Sequence, residues 1–421
     1  MDSAEGVYRR RGAAGAAPEE FAIRDMDLNL GSSFLDGARI SIYSSLDACD
    51  AVWRNATKHC ACYAFQAFEW PSTWQATVGY AQGVTPFIVH VADRTGRTLM
   101  LLPLGIYRRH RLRLLQFLGG GITDYHAPII DRTFAAAITQ PEFARLWSAI
   151  LKLLPPIDVV SFWNMPETID GARNPMLFLA GVKFFENAHA ATLPRTFDEF
   201  KSGRRNGYFK DTRRRQRRLA ERGQVEIRVA ANVADGVELV RIMARQKSRR
   251  WRETGARDMF GKPEYLAFYE TLTKTWLPAG GVQVRGLKVD NQIIATDWGL
   301  LFKNRFYSLM AGYEGGEWRP YSPGRILLAS AVEWCIAAGD IEVFDLTVGD
   351  ESYKRDWADH ALRMYDYWAA RSAKGFVHVA AERVKALLRQ NALVRSLRRR
   401  LKGIARKRDG AAKSATAPAV E

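Results

Sequence analysis

The chain has 421 residues, an apolar fraction of 47% and a formal charge of +17. That length accommodates two cores, and that apolar fraction excludes a disordered chain. The longest apolar run, near "LMLLPLGIY", falls short of the roughly 20 residues of a membrane span, and the N-terminus lacks a signal-peptide pattern, so a cytoplasmic protein is expected.

Residues 1–35, rich in Ala, Gly and charge, read as a mobile leader. A first α/β unit spans 36–195. It holds a strand near Ile40, a helix "LDACDAVWRNA", a helix near "STWQATVGYA", and strands "TPFIVHVA", "RTLMLLPLGIY" and "RLRLLQFL". A helix "PEFARLWSAILKLL", a strand "IDVVSFW", a short helix near "MLFLAG" and a strand near "VKFFENA" complete it. The second unit, 196–372, repeats that order without repeating the residues. A strand "VEIRVA" precedes helices "DGVELVRIMARQKSRRW" and "PEYLAFYETLTKTWL". Three strands follow, "VQVRGLKV", "QIIATDWGLLF" and "RFYSLMAGY", joined by tight turns at Asp290-Asn291 and Lys303-Asn304. A long helix, a strand, a short "ESYKRDW" segment and a last strand "LRMYDYWAA" close the unit, and residues 373–421 form a basic helical tail. The fold class is therefore α/β, two tandem units in which a mixed sheet is flanked by helices.

The charge is local. Residues 204–222 hold nine Lys and Arg against Asp211 and Glu221, and residues 394–421 hold nine against Asp409 and Glu421, so the body of the protein is close to neutral. Lys210, Arg213, Arg214, Arg217 and Arg218 fall on one helical face, a solvated surface or a site for an acidic partner. In the tail, Val394, Leu397, Leu401 and Ile404 make an apolar line among arginines, a pattern that suits an anionic membrane surface. Cys49, Cys60, Cys62 and Cys335 are too few and too poorly spaced for a disulfide framework or a metal knuckle, so four buried thiols and no metal are expected.

The stretch "WRPYSPGRILLASAVEWCIAAGDIEVFDL", residues 318–346, carries the clearest chemistry. Ser322 suits an N-cap, Pro323 the first helical position and Gly339 the C-terminal stop, which predicts a helix from Pro323 to Ala338. Leu327, Leu328, Ala331, Val332, Trp334, Cys335 and Ala338 make its apolar stripe. Capping does not ask for Gly324, which costs about 1 kcal/mol relative to Ala inside a helix, whereas close approach of a ligand to the backbone would. A helix N-terminus beside the carboxyl end of a strand is an anion site.

That order of elements, with "RPYSPGRILL" at Arg319, Gly324 and Arg325, resembles the GNAT acyltransferases, whose pyrophosphate loop follows Arg/Gln-x-x-Gly-x-Gly/Ala. Ser322 stands where the first Gly would be, and Pro323 removes one amide. Ser-Pro-Gly, the Phe344-Asp345 pair and the Tyr353-Lys354 pair resemble the CelD/BcsL-like acetyltransferases, which in turn resemble the tandem-domain Fem peptidyltransferases. The resemblance implies acetyl-CoA or another acyl-CoA as co-substrate, held by Arg319, Tyr321, Ser322, Gly324 and Arg325. It implies Lys354 as the stabiliser of an oxyanion, with Asp345 reaching the same cleft. In "LGGGITDYHAPII", Asp124 and His126 are candidates for the general base. Asp297, Trp298, Tyr313, Tyr353 and Trp357 are candidate substrate contacts. The expected acceptor is an amine or hydroxyl, a saccharide destined for the cell surface being one such. Two alternatives stand beside this reading. One is a Fem-type transferase using aminoacyl-tRNA, the only case in which nucleic acid would be a partner. The other is a non-catalytic accessory protein of a polysaccharide-synthesis assembly.

Overall fold

The computed structural model describes residues 24–27, 35, 37–204 and 206–390. Most of the expected leader, and the basic tail from residue 391 onward, lie outside the described residues. In the first half the chain runs β1 (Arg24–Asp27), β2 (Arg39–Tyr43), α1 (Asp50–His59), α2 (Glu69–Trp74), β3 (Thr85–Ala92), β4 (Thr98–Arg109), β5 (Leu112–Phe117) and β6 (Ile129–Ile130). It continues through α3 (Arg132–Ala137), α4 (Gln140–Leu153), β7 (Val159–Pro166), the small hairpin β8 (Thr168–Ile169) and β9 (Ala172–Arg173), and β10 (Lys183–Thr192). The second half runs α5 (Phe197–Ser202), α6 (Asn206–Ala220), β11 (Val225–Val229), α7 (Val233–Thr254), α8 (Pro263–Trp276), β12 (Val282–Val289), β13 (Gln292–Phe302) and β14 (Arg305–Tyr313). Then come α9 (Pro323–Ala338), β15 (Val343–Val348), α10 (Lys354–Trp357), β16 (His360–Ala370) and α11 (Ala373–Gln390).

The two halves share one sheet. Among the described residues its order is β1-β2-β3-β4-β5-β7-β16-β10-β15-β14-β13-β12-β11, with β6 beside β4. The final strand of the second half, β16, pairs with β7 of the first (Ala370↔Val159), while the final strand of the first half, β10, pairs with β15 of the second (Thr192↔Val343). Each half thus completes its neighbour's sheet, and their junction is continuous β-structure.

In the second half, opposite faces of the sheet pack against different helices. Leu239, Val240 and Met243 of α7 and Phe268 and Leu272 of α8 share a core with Trp298, while Ala331, Val332 and Cys335 of α9 pack with Phe306 and Phe344. The stripe of α9 differs from expectation, because Leu328 and Trp334 are only half-buried and Ala338 is exposed, while Ile326 and Ile336 turn inward. The helix expected near "STWQATVGYA" is α2 extended by a π turn, Gln75–Gly79, and the one expected near "MLFLAG" is a 3-10 turn, Pro175–Phe178, capped by Asn174. All four cysteines are free and buried.

Candidate active site

Strands β14 and β15 run parallel but pair at only three positions, Arg305↔Val343, Phe306↔Phe344 and Tyr307↔Asp345. Beyond that point each follows its other neighbour: β14 stays with β13 as far as Tyr313, and β15 stays with β10 as far as Val348. Both strands carry a bulge just past the fork. Leu309 is the extra residue on β14, between Ser308 and Met310, and Leu346 is the extra residue on β15, between Asp345 and Thr347. The fork opens a cleft of about 1160 Å³ lined by Ser308, Leu309 and Ala311 on one side and Leu346, Thr347 and Val348 on the other. Strand edges facing a cleft offer free amides and carbonyls, the groups that hold an extended ligand as an added strand.

The N-terminus of α9 closes one end of this cleft, with Arg319, Ser322, Gly324 and Arg325 in its lining. The side-chain cap expected of Ser322 does not form. Proline disfavours the right-handed helical region for the residue before it, and Ser322 takes a left-handed conformation, φ 52° and ψ 59°. Its carbonyl accepts the Arg325 and Ile326 amides at 2.9 and 3.3 Å, and its hydroxyl accepts from Arg215 at 3.2 Å. Gly324 is free of any demand from the protein itself. Its φ is not positive, and a Cβ there would meet only the Tyr313 ring at 3.4 Å, ordinary contact. Arg325 is a strut: it stacks 3.4 Å from the Tyr208 ring centroid, bonds Asp211 at 3.0 Å and donates to the Tyr208 carbonyl, tying α6 to α9. Arg319 is exposed, and its guanidinium has no hydrogen-bond or ion-pair partner among the described residues.

Deeper in the fork lies an acid–base cluster built from both halves. Lys354 is 4% exposed, and its ammonium donates to the Val348 carbonyl at 2.6 Å and the Thr347 carbonyl at 3.4 Å, with Glu351 at 3.1 Å. Thr347 holds φ 59°, an outlying conformation for a β-branched residue, and its amide donates to Asp345 at 2.8 Å. The Thr347 side chain reaches Asp124, which arrives from the glycine loop of the first half. That loop needs Gly119, which has φ 105° and on which a Cβ would collide with Thr123. Burial pushes the Asp124 carboxyl up to about 6, against the lowering effects of the Thr347 hydrogen bond and the Lys354 charge. Tyr353 and Tyr313, 42% and 36% exposed, stand at the rim, and burial of its hydroxyl pushes the Tyr353 phenol up to about 12.

Several residues named from the sequence do not line the cleft. Asp345 is fully buried at the last paired position of the fork and accepts from Tyr125 at 2.7 Å, Arg305 at 2.9 Å and the Thr347 amide, so it braces the bulge and joins the halves. His126 is buried against Phe117, and its Nδ1 donates to the Trp163 carbonyl at 2.9 Å. Burial lowers its imidazole to about 4. Trp298 alternates to the opposite face from Asp297 and donates to Thr273 within the core. Trp357 is buried among Phe200, Tyr208 and Phe209, and Tyr321 packs with Trp318. Asp297 does reach the cleft, paired with the buried Arg285, and its second oxygen has no partner. Thr347 and Lys247, both in the lining, had no signal in the sequence beyond their residue types.

A forked parallel pair, a helix N-terminus with a bare glycine and an acid–base cluster thus meet in one cleft. Residues 206–355 match the family described as "Acetyltransferase (GNAT) domain". The crystal structure of FemX is similar in fold, at 11% identity over 77% of this chain and 96% of that one, with a TM-score of 0.54. A tandem GNAT protein from the clavulanic acid biosynthesis pathway aligns at 10% identity over 79% of this chain and 99% of its own, with a TM-score of 0.41. The C-terminal domain of a putative lysylphosphatidylglycerol synthetase from Agrobacterium fabrum aligns at 12% identity over 82% and 97%, with a TM-score of 0.47. No curated protein matches the sequence. The chain is an α/β protein whose two halves share one mixed sheet, and its second half carries the stretch that matches the GNAT acetyltransferase domain. No helix among the described residues is long and apolar enough to cross a membrane.

Proposed function

We propose that the protein transfers an acetyl or longer acyl group from coenzyme A to an amine or hydroxyl, as CelD/BcsL-like acyltransferases do, with a saccharide or other cell-surface precursor as acceptor. The observation that carries this reading is Gly324: neither φ nor packing requires glycine there, yet the position sits at the mouth of α9, where it leaves the backbone bare. A pyrophosphate fits that place, against the helix N-terminus and the unpaired Arg319. The pantetheine arm would then lie along the open edge of β14, with the thioester near the Leu309 bulge.

In the reaction the acceptor nitrogen or oxygen attacks the thioester carbon, and the carbon–sulfur bond breaks as the tetrahedral intermediate collapses. Asp124 takes the proton of the nucleophile, a task suited to a carboxyl near 6. Lys354 places its charge beside the developing oxyanion, and exchanging its Glu351 contact for the oxyanion frees the one donor that the Thr347 and Val348 carbonyls do not hold. Tyr353, still protonated at neutral pH, can return a proton to the leaving thiolate.

Calorimetry with acetyl-coenzyme A tests the donor. The unmutated protein should bind it, and Gly324→Val should abolish binding while leaving the far-UV circular dichroism unchanged. No heat from the unmutated protein would refute the coenzyme A reading. A Fem-type aminoacyl-tRNA donor would then gain support from exposed Arg213, Arg214, Arg217 and Arg218 on α6, the helix that Arg215 links to Ser322. Its mark would be binding that weakens steeply with salt. Attachment to an anionic membrane through the basic tail, on the inner face, is part of the same proposal.

A further inference from the structure

Six cationic side chains line the cleft, and four of them are committed. Arg249 bonds Glu314 and the Tyr313 carbonyl, Arg250 lies 3.6 Å from Glu253, Arg325 bonds Asp211, and Lys354 bonds Glu351. The Arg319 guanidinium and the Lys247 ammonium have no ion pair or hydrogen bond among the described residues. Arg319 belongs to the mouth of α9, where the donor's phosphates enter. Lys247 belongs to α7, which packs on the opposite face of the sheet from α9.

Half-buried Lys247 touches the face of Trp251, one turn on, with Nζ 5.2 Å from the ring centroid. Burial lowers its pKa, and the carboxylate whose charge opposes that shift is Glu351, already bonded to Lys354. A cation sunk in a cleft without a counter-ion of its own is costly, and the cost is relieved when a ligand brings the anion. Glu351 also marks the place. Lys247, Glu351, Asp124 and Lys354 line the same cleft, so the free ammonium shares it with the acid–base cluster.

We propose that Lys247 is an anion subsite for the acceptor, binding a carboxylate or phosphate carried within a few bonds of the attacking nitrogen or oxygen. The inference rests on the acyltransferase reading for the word acceptor, but the subsite itself does not depend on which donor is used. A neutral acceptor leaves the Lys247 ammonium unpaired in the bound complex, and a site built in that way discriminates against it. The class of acceptor that follows is a small amino acid, or an amine or sugar bearing a nearby phosphate.

Three amines of similar size make the test: phosphoethanolamine, β-alanine and ethanolamine, carrying a phosphate, a carboxylate and neither. Each is titrated calorimetrically into the full chain saturated with coenzyme A. At least one anionic amine should bind tenfold or more tightly than ethanolamine, and which one does identifies the anion. Lys247→Met should reduce that amine to the level of ethanolamine, Lys247→Arg should restore it, and neither change should alter coenzyme A affinity. Equal binding of all three amines, or a preference that survives in Lys247→Met, overturns the subsite. If coenzyme A itself gives no heat, the donor reading fails separately. The same titrations into the free protein carrying Arg319→Gln, in which the other unpaired cation is gone, then decide Lys247 by the same two criteria.

Discussion

Replacing Asp124 by Asn separates a general base from a half-buried structural carboxyl. In the folded protein the Asp124 carboxyl is pushed from 3.8 to about 6, with burial the dominant cause, so the folded state holds the proton more tightly than the unfolded chain. For an acid shifted upward, the stability contributed by the neutral form is complete below the unfolded value near 3.8 and is lost as pH rises through about 6. A shift of that size corresponds to roughly 2 to 3 kcal/mol at about 1.4 kcal/mol per unit. Asp124→Asn keeps the shape, cannot ionise, and should unfold at higher denaturant than the parent at pH 8, with the difference gone at pH 4. Activity moves the other way. The parent's kcat/KM should fall tenfold per unit below about pH 6, and the Asn variant should lose that limb together with a factor of about 100 to 10,000 in rate. Denaturant melts at the two pH values and a pH–rate profile measure both effects. A variant that keeps the acidic limb, or a stability difference that does not vanish at pH 4, would refute the assignment.

Two further outcomes concern Lys354 and the basic tail. Lys354→Met should lower turnover on the order of 100-fold or more, with donor affinity little changed. Unlike a surface lysine, it should also cost about 1 to 3 kcal/mol in a denaturant melt, because the Thr347 and Val348 carbonyls lose their donor; unchanged turnover would discard its oxyanion role. Ending the chain before Leu393 should leave turnover in solution unchanged and weaken binding to vesicles containing phosphatidylserine, since each basic residue near such a surface contributes about 1 kcal/mol. Equal vesicle binding by the two proteins would remove the membrane proposal.

The elements with strong periodicity are legible in the amino-acid sequence alone: β3 runs over the whole of "TPFIVHVA", and α9 begins at Pro323 and stops at Gly339. These follow from neighbours within one or two turns of chain, as does Gly324, whose presence in a helix without a local reason is itself a local anomaly. The exchange of β10 and β16 between the halves is not legible there, because each strand has the same apolar alternation whichever sheet it completes. Nor is the left-handed Thr347, which depends on β15 being held by β10 on one edge and released by β14 on the other. Tyr353-Lys354 and Asp124 can be named as chemistry-bearing residues from their local settings. What raises the Asp124 carboxyl is burial in a cleft lined largely by the second half, and what leaves Lys247 uncommitted is that Glu351, in the same cleft, is bound to Lys354. Residue type and local pattern travel with the chain. A pKa and an unpaired charge are set by whichever distant side chains the sheet brings within a few ångströms.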